Sequence, residues 1–222
     1  MHHKVAIIIP AKGGSVRIPN KNIQKLADGS TLLQLAINKA KSISKADVFV
    51  STDSAIIVDQ AIDSQVSILA RPLELSDDFY ELMRWEFTHL LINERYDYVF
   101  HLHCTAPFLK LSTVRGVIDH LLTWDRDSIF TAYPDKLFLW SNVDSPLYDT
   151  YKLPKSQEIP YSFVESHGMY GIKPKVFMSS CGHRYPRTII YPISQLEAFD
   201  INEKTDLEDA RRITGVTSWN SL

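Results

Sequence analysis

Residues Val5 to Pro10, VAIIIP, form an unbroken apolar run rich in β-branched side chains. A strand wetted on one face alternates apolar with polar residues; this run does not alternate. Both of its faces must be covered, as in a central strand of a parallel sheet with helices on either side. The run is also too short and too β-branched for the apolar core of a secretory leader. Just after Pro10 it leads directly into AKGGSVRIPNKN, Ala11 to Asn22, with two glycines, one proline and three cations. Glycine lets a ligand approach the backbone with no Cβ in the way. Successive N–H groups in such a bend can form a concavity for an anion. Ser15 adds a hydroxyl, and Lys12, Arg17 and Lys21 add full charges. Neither GxxxxGK[ST] nor GxGxxG is present, so this is neither a P-loop nor a dinucleotide fingerprint. A plain tight turn is the alternative.

The rest of the chain repeats the strand-then-helix rhythm. Ser30-Thr31 can cap a helix in which Leu32, Leu35, Ala36, Ala40 and Ile43 share a face. Asp47 to Ser51 reads as a strand. Asp53 follows it as a helix cap, or alternatively as a ligand residue, and Ala55 to Ile62 reads as the helix. Val66 to Leu69 is a short strand, Phe79 to Arg95 a long amphipathic helix and Tyr98 to Cys104 a strand. Ser112 is expected to cap a further helix, and Ser128 to Tyr133 is a strand. Alternation returns in HGMYGIK and RTIIYPI, and Thr205 with Glu208 would form a capping box for a last helix. This order predicts an α/β fold: a Rossmann-like, open, mostly parallel sheet with helices on both faces. Ligands of such sheets sit beyond the carboxyl ends of the strands, where the glycine loop lies.

With 222 residues, 45% of them hydrophobic, the chain can bury one sizeable core. It is therefore expected to form one domain over 1–222. Between 134 and 161 the periodicity fails and Pro, Asp, Ser and aromatics accumulate. That stretch is expected to be an excursion that covers the site or pairs with a second subunit, or else a surface loop. A net charge of −2 offers no basic field for nucleic acid or anionic lipid. No apolar run approaches a membrane span. Cys104 and Cys181 lie far apart with no CxxC, which reads as a reduced, cytoplasmic protein.

AKGGSVRIPNKN resembles the opening motif of the acylneuraminate cytidylyltransferase family, whose pattern runs approximately ARGGSKRIPNKN. VSTDS (Val50–Ser54), RPLELSDD (Arg71–Asp78), TAPF (Thr105–Phe108) and FDINEKTDLEDA (Phe199–Ala210) are similar to later family segments, in the same order. The resemblance implies a nucleotidyltransferase fold and a CTP-dependent reaction. A nonulosonic acid attacks the α-phosphate and pyrophosphate leaves, with magnesium bridging phosphate oxygens. It implies that Lys21 and Arg17 act on the triphosphate, that Ala11, Lys12, Gly13, Gly14, Ser15 and Asn22 line its loop, and that Arg71 sits near the base or phosphates. Asp200 would be the main metal ligand, with residue 202 as its partner. The family is usually homodimeric.

Four positions depart from the pattern. Lys12 and Val16 replace an arginine and a lysine. LHCTAP replaces LQPTSP, putting His103 where a glutamine tends to help read cytosine. Asn202 replaces an aspartate, so one metal carboxylate gives way to a neutral amide. These departures keep open a shorter keto-deoxy sugar acid, another nucleotide, or a non-catalytic nucleotide- or sugar-binding role.

Other constellations point less sharply. His101 and His103 share one strand face, with Cys104 on the other, but zinc would need further ligands from His167, His183 or Cys181. His167 is expected to face the sugar. Arg184, Arg187 and Lys173 could meet its carboxylate or decorate the surface. Asp77-Asp78 reads as a solvated bend, and Trp85, Phe87 and Leu90 as core or subunit contacts.

Overall fold

The computed structural model describes residues 3–75, 78–93, 96–124, 126–155, 157–159, 161–180 and 187–216. Cys181, His183, Arg184 and Asp77 lie outside these.

Nine strands are described: β1 Val5–Pro10, β2 Ala46–Thr52, β3 Ser67–Ala70, β4 Tyr98–Leu102, β5 Ser128–Asp135, β6 Trp140–Asn142, β7 Ser145–Pro146, β8 Ser162–Ile172 and β9 Thr188–Pro192. The helices are α1 Leu32–Lys41, α2 Ala55–Ile62, α3 Phe79–Asn93, α4 Leu111–Thr123, α5 Pro174–Ser179 and α6 Lys204–Val216. Seven strands make one sheet in the order β3-β2-β1-β4-β8-β5-β9. All neighbours are parallel except β8, which runs antiparallel to β4 and β5. The strand order turns at β1 and β4, so their carboxyl ends open a crevice of the kind that holds ligands in such sheets.

The unalternating β1 run is buried on both sides, as its sequence requires. Ile7 and Ile9 pack with α1, α2, α4 and α6 residues such as Leu33, Ile57, Val117 and Leu207. Ala6 and Ile8 pack with Met83, Phe87 and Phe177 of α3 and α5. Phe87 and Leu90 are therefore core. α3 also carries Glu86, whose Oε2 lies 2.8 Å from Nε2 of His101 on β4, both fully buried.

Three expected caps fall elsewhere. Thr31 caps α1 by accepting from Gln34 N at 3.1 Å. α2, however, begins after Ser54, and Asp53 turns away from it to the glycine loop. α4 begins at Leu111, so Ser112 lies inside it. Glu197 serves that end instead, accepting from Lys110 N at 3.3 Å and from the Thr113 hydroxyl. At α6, Asp206 accepts from the Asn202 and Glu203 N–H groups at 2.8 and 2.7 Å, so the box falls two residues before the expected Thr205–Glu208 pair.

The excursion at 134–161 holds a small antiparallel hairpin, β6 with β7, and exposes Trp140, Val143, Leu147, Tyr151 and Leu153. Lys173 and Arg187 both face Asp127, at 3.2 and 3.7 Å. Asp127 precedes β5, at the sheet end opposite the crevice, so neither cation is placed for a sugar bound there.

Candidate functional site

The glycine loop leaves β1 at its carboxyl end and is braced from three directions. Ala11 is buried and donates its N–H to Ser51 O at 2.8 Å. Gly13 donates its N–H to Asp53 Oδ1 at 2.7 Å. A Cβ on Gly13 would fall 2.5 Å from Ser54 Cβ, so glycine is required there by the approach of the α2 start. Ser15 N turns back onto Gly13 O at 3.1 Å. The amides of Ala11, Gly13 and Ser15 thus serve the fold. The expected cradle of successive free amides gives way to a loop that presents side chains.

Those side chains converge. Asn20 takes a left-handed backbone, φ 53°, which asparagine tolerates, and starts the short 3₁₀ turn Lys21–Ile23. Within that turn Asn22 is buried and its Nδ2 donates to Lys12 O at 2.9 Å, tying the two cation-bearing segments together. Lys12, Gly14, Ser15, Arg17 and Lys21 line one wall of a cavity of about 390 Å³. Arg71 and His103 complete the polar wall, and Phe79 and Leu82 of α3 supply an apolar floor. Arg71 is buried, with Nη2 3.9 Å from the Asp53 carboxylate. Asp53 therefore bridges the loop and the arginine, a role that capping logic missed. Its place just past a strand end beside the crevice was the available signal.

Asp200 and Asn202 lie beside this wall, before α6. Lys21 Nζ donates to Ile201 O at 2.9 Å, and Ile201 N donates to Thr105 O at 2.9 Å. Lys21, the turn after β4 and the Asp200 segment are therefore stitched into one unit. Burial holds the Lys21 ammonium below its ordinary pKa, although the charge of Asp200 opposes that shift. Burial alone would raise the Asp200 carboxyl. Contacts from His167, Thr105 and Asn202 outweigh it and hold the group at about 2. His167 Nδ1 stands 3.3 Å from Asp200 Oδ2, and Asn202 Nδ2 donates to the same oxygen at 2.8 Å. Asp200 Oδ1 is buried with no hydrogen-bond partner among the described residues. Arg17 reaches across to Glu203 at 2.8 Å, a pair the sequence did not signal.

The loop from Ala11 to Asn22, Arg71, His103, Asp200 and Asn202 thus fall at one end of the sheet, whereas Lys173 and Arg187 lie at the other. His167 lies within β8, not before a strand, and faces Asp200.

The profile of the Cytidylyltransferase family matches residues 6–179. The chain is 25% identical over 217 residues to the pseudaminic acid cytidylyltransferase of Campylobacter jejuni, covering 92% of this chain and 93% of that one. It is 24% identical over 225 residues to the N-acylneuraminate cytidylyltransferase of Streptococcus agalactiae, covering 91% of this chain and 51% of the relative. Among solved structures, a CMP:2-keto-3-deoxy-manno-octonic acid synthetase complexed with CTP superposes with a TM-score of 0.69 at 14% identity, covering 95% of this chain and 98% of that one. The 4-diphosphocytidyl-2C-methyl-D-erythritol synthase of Anaerococcus prevotii gives 0.66, also at 14% identity, covering 96% of each chain. Those two likenesses speak for the nucleotidyltransferase fold. The family profile takes in most of the chain, including both the glycine loop and the β4 turn that face each other across the crevice, and the chain belongs to the cytidylyltransferase family.

Proposed function

We propose that this protein transfers CMP from CTP to a nonulosonic, sialic-acid-like sugar and releases pyrophosphate. The carrying observation is the convergence of Lys12, Arg17, Lys21 and Arg71 on one crevice, with the ionised Asp200 at its margin. A triphosphate suits that wall. One cation about 4 Å from a phosphate oxygen gains roughly 4 kcal/mol at an effective dielectric near 20, before desolvation. The relatives named for pseudaminic and N-acylneuraminic acids favour the nonulosonic class.

In the reaction the anomeric hydroxyl oxygen of the sugar bonds to the α-phosphorus while its proton passes to solvent, the bond from that phosphorus to the oxygen bridging to the β-phosphate breaks, and pyrophosphate leaves. The protein contributes position and charge rather than a covalent nucleophile. Arg17 and Lys21 hold the β- and γ-phosphates, where charge grows as pyrophosphate departs. Gly14, Ser15 and Lys12 flank them, and Asn22 keeps the loop in register through Lys12 O. Arg71 and His103 border the nucleoside end of the crevice. His103 differs from the family's usual glutamine, so other nucleoside triphosphates belong in the assay.

The residues fit a hard divalent cation, magnesium by preference. Asp200 Oδ1 is buried, unpartnered and charged at neutral pH. No group of three or more His, Cys, Asp or Glu suited to a metal occurs among the described residues. A cation here would take few protein ligands, Asp200 with Asn202 beside it, and complete its shell from phosphates and water, as magnesium does. When bound it neutralises phosphate charge.

No described helix is long and apolar enough to cross a membrane. We place the protein in the cytoplasm, in keeping with the buried free thiol of Cys104. We assign the exposed apolar residues of 134–161 to a homodimer contact, which sedimentation of a Trp140→Lys variant tests by loss of the dimer. The function itself is tested by pyrophosphate release from CTP and magnesium with pseudaminic, legionaminic, N-acetylneuraminic and 3-deoxy-manno-octulosonic acids in turn. Turnover with a nine-carbon acid is expected. CTP binding without release for any acid would overturn the reading.

A further inference from the structure

We propose that Lys39, on the face of α1 turned away from the nucleotide crevice, is a positioning residue for the transfer reaction; this rests on the cytidylyl-transfer reading. Lys39 lines a separate cleft of about 570 Å³ with Leu35, Pro107, Phe108 and Leu109. Its Nζ donates to Pro107 O at 2.6 Å, a side-chain-to-backbone bond across 68 residues of sequence. Burial depresses this ammonium to about 8, so placing it there is costly. Sequence spacing gives no reason for a lysine at this point of an otherwise apolar helix face.

The bond reaches the reacting groups through the turn after β4. That turn is narrow: His103 N donates to Gly168 O at 3.1 Å, Ala106 N to His103 O at 3.4 Å and Leu109 N to Ala106 O at 3.3 Å. Its crevice side presents His103 and Thr105. Thr105 O receives the Ile201 N–H, and Ile201 O receives Lys21 Nζ. Lys39 therefore pins the far side of the turn whose near side sets the register of Asp200 and Lys21. Cys104, between His103 and Thr105, is fully buried and its thiol is pushed up to about 12, so it stays neutral and offers the two flanking lysines no strong counter-charge. The carbonyl of Pro107 is the anchor.

Lys39→Met has similar length and suits an apolar cleft, so the variant is expected to fold. In the free protein, amide exchange at Ala106, Leu109 and Ile201 should accelerate at least about tenfold, since each sits on the pinned turn or on the segment before α6 that it orders. In turnover, kcat should fall about ten- to hundredfold, the range of a small misplacement of reacting groups, while KM for CTP moves less than about threefold. Lys39→Arg, which keeps a donor, should recover most of both. Lys110→Met, in the same cleft but without this bond, should match wild type. The proposal fails if exchange at Ile201 is unchanged in Lys39→Met, if kcat holds, or if Lys110→Met does the same damage. Should wild type release no pyrophosphate with any sugar acid, the transfer reading fails, yet the exchange measurement still judges whether Lys39 holds the turn.

Discussion

Replacing Asp53 with asparagine separates two jobs that one carboxylate performs. Its Oδ1 accepts the Gly13 N–H at 2.7 Å and lies 3.9 Å from Arg71 Nη2. The two side chains are 3% and 2% exposed, so the discount for a solvent-screened surface pair does not apply. Coulomb attraction at that distance and an effective dielectric near 20 is about 4 kcal/mol. Removing one partner of a buried pair typically costs about 3–5 kcal/mol. Asparagine keeps an oxygen for Gly13 but loses the charge. Asp53→Asn should therefore lower the unfolding free energy by about 3 kcal/mol, a large share of a marginal total. Asp53→Ala should cost about 1–2 kcal/mol more, for the half-buried Gly13 N–H left without its acceptor. Urea unfolding with unchanged m-values measures both. CTP affinity should fall in each, because the loop and Arg71 lose their common brace. A double-mutant cycle with Arg71→Met should show coupling well above the error of about 0.5 kcal/mol. An unaltered urea midpoint in Asp53→Asn, or no coupling to Arg71, would refute the reasoning.

Gly13→Ala drives a methyl into Ser54; a loss of about 1–3 kcal/mol in unfolding free energy is expected, with weaker CTP binding by calorimetry. Asp200 sits at about 2 when folded against 3.8 ordinarily, so its stabilising contribution of about 2 kcal/mol is complete above the higher value and lost as pH falls through the lower. The difference between wild type and Asp200→Asn in acid unfolding should shrink over that window. Lys39 has the opposite consequence. Depressed to about 8 from 10.5, it binds protons more weakly in the folded chain, so stability should rise by about 3 kcal/mol as pH climbs between those values, and Lys39→Met should abolish that rise. Glu203→Gln removes an exposed ion pair whose side chains are 57% and 55% exposed, and thermal unfolding should move by no more than about 1 kcal/mol.

The strand-and-helix order was legible because hydrophobic period is a local property: Val5–Pro10 has to be buried on both faces wherever the chain goes. The members of the candidate site could be picked out too, since they lie in short segments similar to a known family. What escaped were partnerships across long separations. Asp53 looks like a cap from its neighbours, because nothing in VSTDS reveals that Gly13, 40 residues earlier, offers a better use for the carboxylate. Glu197 serving the start of α4 and Glu203 meeting Arg17 are hidden for the same reason. The antiparallel course of β8 is likewise invisible to periodicity, since a buried strand reads alike in both directions.

The charges of the crevice explain why such a site would call for a metal. Three of the cations already have an internal partner: Arg17 donates to Glu203, Lys21 donates to the Ile201 carbonyl with Asp200 nearby, and Arg71 faces the Asp53 carboxylate at 3.9 Å. These contacts preorganise the wall, so an arriving triphosphate need not order it. They also leave only a small positive surplus, four cations counting Lys12 against three carboxylates, for a ligand that carries several negative charges. Val16, exposed in the loop where the family often has lysine, adds nothing to that surplus. A divalent cation would supply what is missing, beside Asp200 Oδ1, a buried carboxylate oxygen with no hydrogen-bond partner among the described residues. Asn202→Asp adds a negative charge next to that oxygen. It should tighten magnesium binding by titration calorimetry in the presence of CTP and weaken CTP binding when magnesium is absent. If both constants move the same way, the charge account of this crevice is wrong.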